Sequence, residues 1–256
     1  MNFTDHPKRK LVVGLSGIAV VIVLSLWYLE IRGMNILLVA SGVSRTQGQR
    51  GASRTYVSKL ALPEDPISEN GNWISGKAVG VDWANVATTP DLAYGTELGG
   101  GGYDDSTALL AGAWGSDQMA EATVYSINQN DNIYEEVELR LRSSLSPHRS
   151  TGYEINFRCL KTAHGYTQIV RWDGPLGKFK YLASQEGVNY GVTKGDLVRA
   201  TIVGNMITAY INGVRVLRVR DNTYTTGNPG IGFFLQGGSG VNKDYGFTSF
   251  KVSDRW

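Results

Sequence analysis

Over most of the last two-thirds of the chain, apolar and polar residues alternate with a period of two, the spacing of half-buried strands. Leu197–Val203, Met206–Ile211 and Val214–Val219 are three such runs, closed by Gly204-Asn205 and Asn212-Gly213. Asn-Gly predicts a hairpin, because both central residues of a type I′ turn need φ > 0. In the third run, Val214, Val216 and Val219 alternate with Arg215, Arg218 and Arg220, and Gly227-Asn228-Pro229-Gly230 then turns the chain into Ile231–Leu235. Upstream, Tyr134–Ser143 sets Val137, Leu139 and Leu141 against Glu136, Glu138, Arg140 and Arg142. After a Ser146–Ser150 turn, Tyr153–Leu160 repeats the design, with Ile155 and Phe157 against Glu154, Asn156 and Arg158. Paired as a hairpin, the two runs place a lattice of Glu, Arg and Asn on one sheet face. Gln168–Trp172 and Lys178–Ser184 form the next hairpin across Asp173–Gly177. Asn70–Val81, Val86–Tyr94, Thr107–Ala111 and Met119–Ile127 complete the strand candidates, at intervals of roughly 8–13 residues. No helical period is present in this region. The expectation is an all-β, two-sheet antiparallel sandwich, a jelly roll, over residues 67–256.

The first quarter reads differently. Lys8-Arg9-Lys10 precede Leu11–Leu29, an uncharged apolar run. As a helix it would cover about 28 Å, near the thickness of a bilayer core. Trp27 and Tyr28 stand at its far end, where interfacial aromatics belong. Residues 1–10 then read as a basic cytoplasmic head and 11–29 as a transmembrane anchor. A cleaved signal peptide is the alternative, with a second apolar patch at Ile36–Val39 before Ala40-Ser41-Gly42; a buried soluble helix is a third. The first two export the rest of the chain, as an extracytoplasmic domain that is either membrane-anchored or secreted. Residues 30–66 read as a flexible linker, rich in Ser, Gly, Arg and Gln over 41–62 and closed by Pro63 and Pro66.

Composition adds little. The net charge of +2 gives no whole-protein argument for nucleic acid. Cys159 is alone, so no intrachain disulfide exists, and its phase with Tyr153, Ile155 and Phe157 predicts a buried small hydrophobe.

Gly195-Asp196-Leu197-Val198, Ile207–Gly213, Gly230-Ile231-Gly232-Phe233 and a closing strand Phe247–Val252 together resemble the concanavalin A-like lectin/glucanase superfamily, and within it the laminin-G-like domains of bacterial exported proteins. The resemblance implies a jelly roll with a sheet face that often holds a carbohydrate. It does not assign chemistry, because lectins, glycan-binding modules, glycosidases, lyases and adhesive domains share the fold.

The superfamily's retaining glucanases carry Glu-x-Asp-x-x-Glu on one strand, which holds two carboxyls about 5–5.5 Å apart. Glu136-Val137-Glu138 is the nearest match here, and the Asp and last Glu are missing. Lyase-like members use Gln-Ile-His; here Gln168-Ile169-Val170 puts Val where the base would stand. His148 and His164 sit in turn-like segments without ligand spacing. The resemblance also implies a structural calcium ion, for which Asp104, Asp105 and Asp244 offer carboxylates, although no spaced calcium loop exists and no other cofactor is expected. Candidate glycan contacts are Glu138, Arg140, Arg158 and Arg171 as polar groups and Trp114, Trp172 and Tyr181 as platforms. The competing roles are core packing for the aromatics and cross-strand salt bridges with Glu138 and Glu154 for Arg140 and Arg158. The expected function is non-catalytic glycan binding, or binding of another envelope component, with membrane contact through the N-terminal helix. A polysaccharide-active enzyme and an adhesive, protein-binding sandwich are the alternatives.

Overall fold

A computed structural model of the protein describes residues 53–237 and 240–254. The apolar run Leu11–Leu29 and its basic head lie outside the described residues; within them, no helix is long and apolar enough to cross a membrane.

Fifteen strands and two 3₁₀ turns (Lys77–Val79 and Asn242–Asp244) are present among the described residues. Seven strands build one sheet: β2 (Trp73–Ser75), β5 (Ser106–Leu110), β7 (Tyr134–Ser146), β8 (Arg149–Arg158), β9 (Tyr166–Gly174), β10 (Phe179–Glu186) and β14 (Asn228–Gln236). Their order is β10-β9-β8-β7-β14-β5-β2. The other eight are β1 (Thr55–Val57), β3 (Val86–Thr89), β4 (Leu92–Gly95), β6 (Gln118–Ser126), β11 (Leu197–Val203), β12 (Met206–Ile211), β13 (Val214–Arg220) and β15 (Tyr245–Asp254). They run β13-β12-β11-β6-β15-β4-β3, with β1 also paired to β15. Every pairing is antiparallel. The described residues form an all-β two-sheet sandwich.

The inward phase of each strand fills the space between the sheets. Val137, Leu139 and Leu141 of β7 and Tyr153, Ile155 and Phe157 of β8 share one core with Ala120, Ala122, Val198, Ala200 and Ile207 of the opposite sheet. Phe233 of β14 reaches Tyr245 and Phe247 of β15 at centroid distances of 6.2 and 5.4 Å. These side chains are fully buried. Burying a large apolar side chain of this kind stabilises the fold by roughly 1.5–3 kcal/mol. Cys159 is buried as expected, and burial pushes its thiol well above the ordinary range.

Turn chemistry sets the register. Asn212 and Gly213 have φ of 50° and 78°. These are the two positive values a type I′ hairpin needs. Three details depart from the sequence pattern. A bulge at Ala209/Tyr210 shifts the β12–β13 register, so Leu217 is buried and Val214 exposed, breaking the simple valine alternation. The β7–β8 turn tightens to Pro147-His148, and a register shift between Leu141 and Ser144 takes up the extra length; Arg142 lies there with φ 46° and bonds the carbonyls of Ser116, Tyr224 and Gly204. Sheet pairing also starts before Ile67: β1 lies in the stretch read as linker, held by Arg54 N–H to Asp254 Oδ1 at 2.6 Å and by its ladder with β15. Three residues paired at a distance of nearly the whole chain leave no periodicity to read.

Candidate functional site

The outward phase of β7 and β8 carries the charged lattice the pattern anticipates, in the register Glu136↔Arg158, Glu138↔Asn156 and Arg140↔Glu154. On the other side of β7, β14 places Phe234 beside Glu136, Gly232 beside Glu138 and Gly230 beside Arg140. The glycines matter. A Cβ on Gly232 would overlap Glu138 Oε2 and lie within 3.0 Å of Arg140 Nε and Nη2, so the bare backbone lets both side chains lie across the strand.

Arg140 is the centre of the lattice. Its guanidinium meets Glu138 at 2.6 Å, Glu154 at 2.9 Å and Asp105 at 3.4 Å. Asp105 comes from the segment just before β5. Trp172 of β9 donates its indole N–H to Glu154 Oε2 at 2.6 Å and packs on Trp83 and Phe179. Burial works against the charge of Arg140, but Glu154, Glu138 and Asp105 more than offset it and raise its pKa. Glu138 and Asp105 are held well above the carboxylate range, chiefly by burial and then by the charge of Glu154. Glu136 accepts from the Tyr166 hydroxyl and from Asn156 Nδ2 at 2.5 Å; burial pushes its pKa up to about 7.

These groups form the floor of a cavity of about 210 Å³ on the outer face of the seven-stranded sheet. Asp105, Glu136, Glu138, Glu154 and Asn156 line it from below, and Tyr103, Tyr134, Tyr166, Phe179, Tyr181 and Phe234 form its walls. Phe179 meets the rings of Tyr103 and Tyr181 at 5.1 and 5.4 Å. Glu138 Oε1 and Asn156 Oδ1 are buried acceptors that no donor reaches among the described residues.

The seven residues singled out from sequence divide into three groups. Glu138 and Tyr181 line the cavity. Arg140, Arg158 and Trp172 lie beneath or beside it: Arg158 bonds the carbonyls of Asp131, Ile133 and His164 and lies 4.2 Å from the Tyr134 ring centroid. Arg171 and Trp114 are elsewhere. Arg171 pairs with Asp173 and Asp221, and Trp114 packs under Arg54. Of the calcium candidates, only Asp105 joins a cluster, in which it, Glu138 and Glu154 each offer one oxygen, all within 4.8 Å of one another. Hard oxygen donors suit Ca²⁺ or Mg²⁺, but Arg140 already bonds all three carboxylates. Asp244 ends a separate 3₁₀ turn. His148 and His164 are exposed beside Asp82 and Asp131. Sequence reasoning did not single out Tyr103, Tyr134, Tyr166, Phe179 and Phe234 as site residues. One signal existed: Phe179 and Tyr181 of β10 share the phase of Trp172 and Val170 of β9.

No family model matches the chain, and no curated protein does. Among solved structures, it is similar to the CBM2 module of the evolved Dit of Lactobacillus casei BL23 phage J-1, with a TM-score of 0.51 and 10% identity over 80% of this chain and 98% of that one. It is also similar to the carbohydrate-binding module CBM66 from Bacillus subtilis, with a TM-score of 0.48 and 17% identity over 74% and 96% of the two chains. At such identities the likeness to the phage module shows a shared sandwich fold.

Proposed function

We propose that the cavity binds carbohydrate, as a non-catalytic lectin-like site on a jelly roll of the concanavalin A-like superfamily. One observation carries this reading. Tyr103, Tyr134 and Tyr181 are 48, 40 and 52% exposed, yet the polar floor they surround is at most 7% exposed. Sugars present C–H faces that suit aromatic walls and hydroxyls that suit fixed polar groups at the base. The names of the similar structures, a CBM2 module and a carbohydrate-binding module, are in keeping with this reading without carrying it. A glycan array followed by titration calorimetry tests it: saturable binding of a glycan, weakened about tenfold in Tyr181→Ala, is expected. Absence of binding across neutral, amino and acidic glycans would refute it.

A polysaccharide-active enzyme is the second reading, favoured by Glu136. Its carboxyl, on the cavity floor with a pKa of about 7, has the protonation balance of a general acid. Glu138, two residues on, is tied to Arg140 rather than free for a second role. Release of reducing ends or unsaturated sugars, abolished in Glu136→Gln, would establish this reading in place of the first. We further propose that residues 11–29 tether the domain at the outer face of a membrane. Carbonate-washed membranes should retain the full-length chain; a soluble chain starting near residue 40 would show cleavage instead.

A further inference from the structure

We infer that the cavity selects a ligand bearing a protonated amine, so that within the proposed glycan class its ligand is a deacetylated amino sugar rather than a neutral or acidic one. This rests on the carbohydrate reading above. Charge, hydrogen bonding and the aromatic walls each lead to it.

Asp105, Glu136, Glu138 and Glu154 all line the cavity, and among the described residues no Lys or Arg does. Arg140 lies below the floor and is shared among three of those carboxylates, while Arg158 is spent on backbone carbonyls. An acidic sugar would bring a further negative charge onto this floor with nothing to meet it. Burial first, and the charge of Glu154 after it, hold Asp105, Glu136 and Glu138 above the carboxylate range, so the floor retains protons that a bound ammonium would displace.

Hydrogen bonding points the same way. The two orphan atoms on the lining residues, Glu138 Oε1 and Asn156 Oδ1, are both acceptors, on side chains 0 and 5% exposed and on registered neighbours of β7 and β8. A buried acceptor without a donor costs roughly 1–3 kcal/mol. An ammonium carries three N–H donors and the missing charge on one atom, whereas a hydroxyl carries one donor and no charge. Arg140 Nε and Arg158 Nε, both donors, also lack a partner, but neither residue is part of the cavity lining.

Six aromatic rings surround the floor; Arg158 already lies 4.2 and 5.7 Å from the centroids of two of them, Tyr134 and Tyr166, which leaves the other four, Tyr103, Phe179, Tyr181 and Phe234, for a ligand's cation. A cation within about 6 Å of an aromatic face is attracted to it. Aromatic walls favour an organic ammonium over a hydrated metal ion, which would need the oxygens that Arg140 already holds. The cavity measures about 210 Å³. That is below the roughly 300–1000 Å³ of drug-sized pockets and suits one sugar ring rather than a long oligomer buried whole.

The test is calorimetry on the full-length protein with four probes: a glucosamine oligosaccharide, the same oligosaccharide N-acetylated, a glucose oligomer of the same linkage, and a uronate oligomer. The expected result is at least about tenfold tighter binding of the amine form than of the other three. Glu136→Gln, nearly isosteric, should cut that preference by about threefold or more, with a melting temperature no more than a few degrees below that of wild type. Equal binding of the amine, N-acetyl and neutral forms overturns the inference and leaves the glycan reading standing. No binding of any probe overturns both. Binding of calcium chloride that displaces the amine probe and is lost in Glu138→Gln would make the cluster a metal site and also overturn the inference.

Discussion

Gly232→Ala is the sharpest perturbation of the floor, because a single methyl group meets the ion-pair cluster and nothing else changes. Gly232 has no left-handed φ, so alanine fits its backbone. By itself that exchange would favour a strand by roughly 0.5–1 kcal/mol. Against that gain, the new Cβ overlaps Glu138 Oε2 and lies 3.0 Å from Arg140 Nε and Nη2. Glu138 can turn aside only into the cavity it lines, which parts it from Arg140, a group held in place by Glu154 and Asp105 as well. Breaking a buried pair while both charges stay inside costs about 3–5 kcal/mol. The net expectation is destabilisation by roughly 2–4 kcal/mol, or about 4–16 °C in Tm for a domain of this size. Differential scanning calorimetry reads it directly. A variant with an unchanged or raised Tm would show that the cluster relaxes freely, and that Gly232 does not hold it in place.

Three further outcomes follow from named contacts. Gly213→Val puts a β-branched residue at φ 78° in the β12–β13 turn. It should destabilise by at least about 1–2 kcal/mol; an unaltered Tm would remove that turn from the register-setting role. Trp172→Phe removes the N–H bonded to Glu154 Oε2. That should cost about 1–3 kcal/mol, read from urea midpoints, and an unchanged midpoint would mean that another donor takes its place. The Glu136 carboxyl is held at about 7 when folded against 4.5 ordinarily, so between those values the native state binds the extra proton. Stability should therefore fall as pH rises from about 4.5 to about 7, by up to about 3 kcal/mol from this group. Glu136→Gln should flatten that slope, and a Tm–pH profile parallel to wild type would contradict the assignment.

Strand phase was legible in the sequence to a useful depth. The β7 and β8 runs separate Val137, Leu139 and Ile155 from Glu138, Arg140 and Asn156, and the structure keeps that division. The Asn212-Gly213 turn is likewise written in residue types that tolerate positive φ. What alternation cannot say is which element lies over a face. Glu138 and Arg140 read only as a charged sheet face, open or covered alike; Asp105 and Tyr103, from the segment after a glycine run, close in beside them and turn the face into a floor. Bulges were equally silent, as at Ala209/Tyr210, because one extra residue changes the phase without changing composition. Trp172 was visible as an aromatic, but its position beneath the cavity depends on Trp83 and Phe179, which approach it only in the folded chain.

The carbohydrate site itself is tested most directly by comparing wild type with Tyr181→Ala on one glycan panel by titration calorimetry. Tyr181 is half exposed on the rim and bonds to nothing in the floor, so its loss should leave Tm within a few degrees. Expected is saturable binding to wild type and a weakening of about tenfold, or about 1.4 kcal/mol, in the variant. Equal affinity of the two proteins for every glycan that binds would place the site away from this cavity.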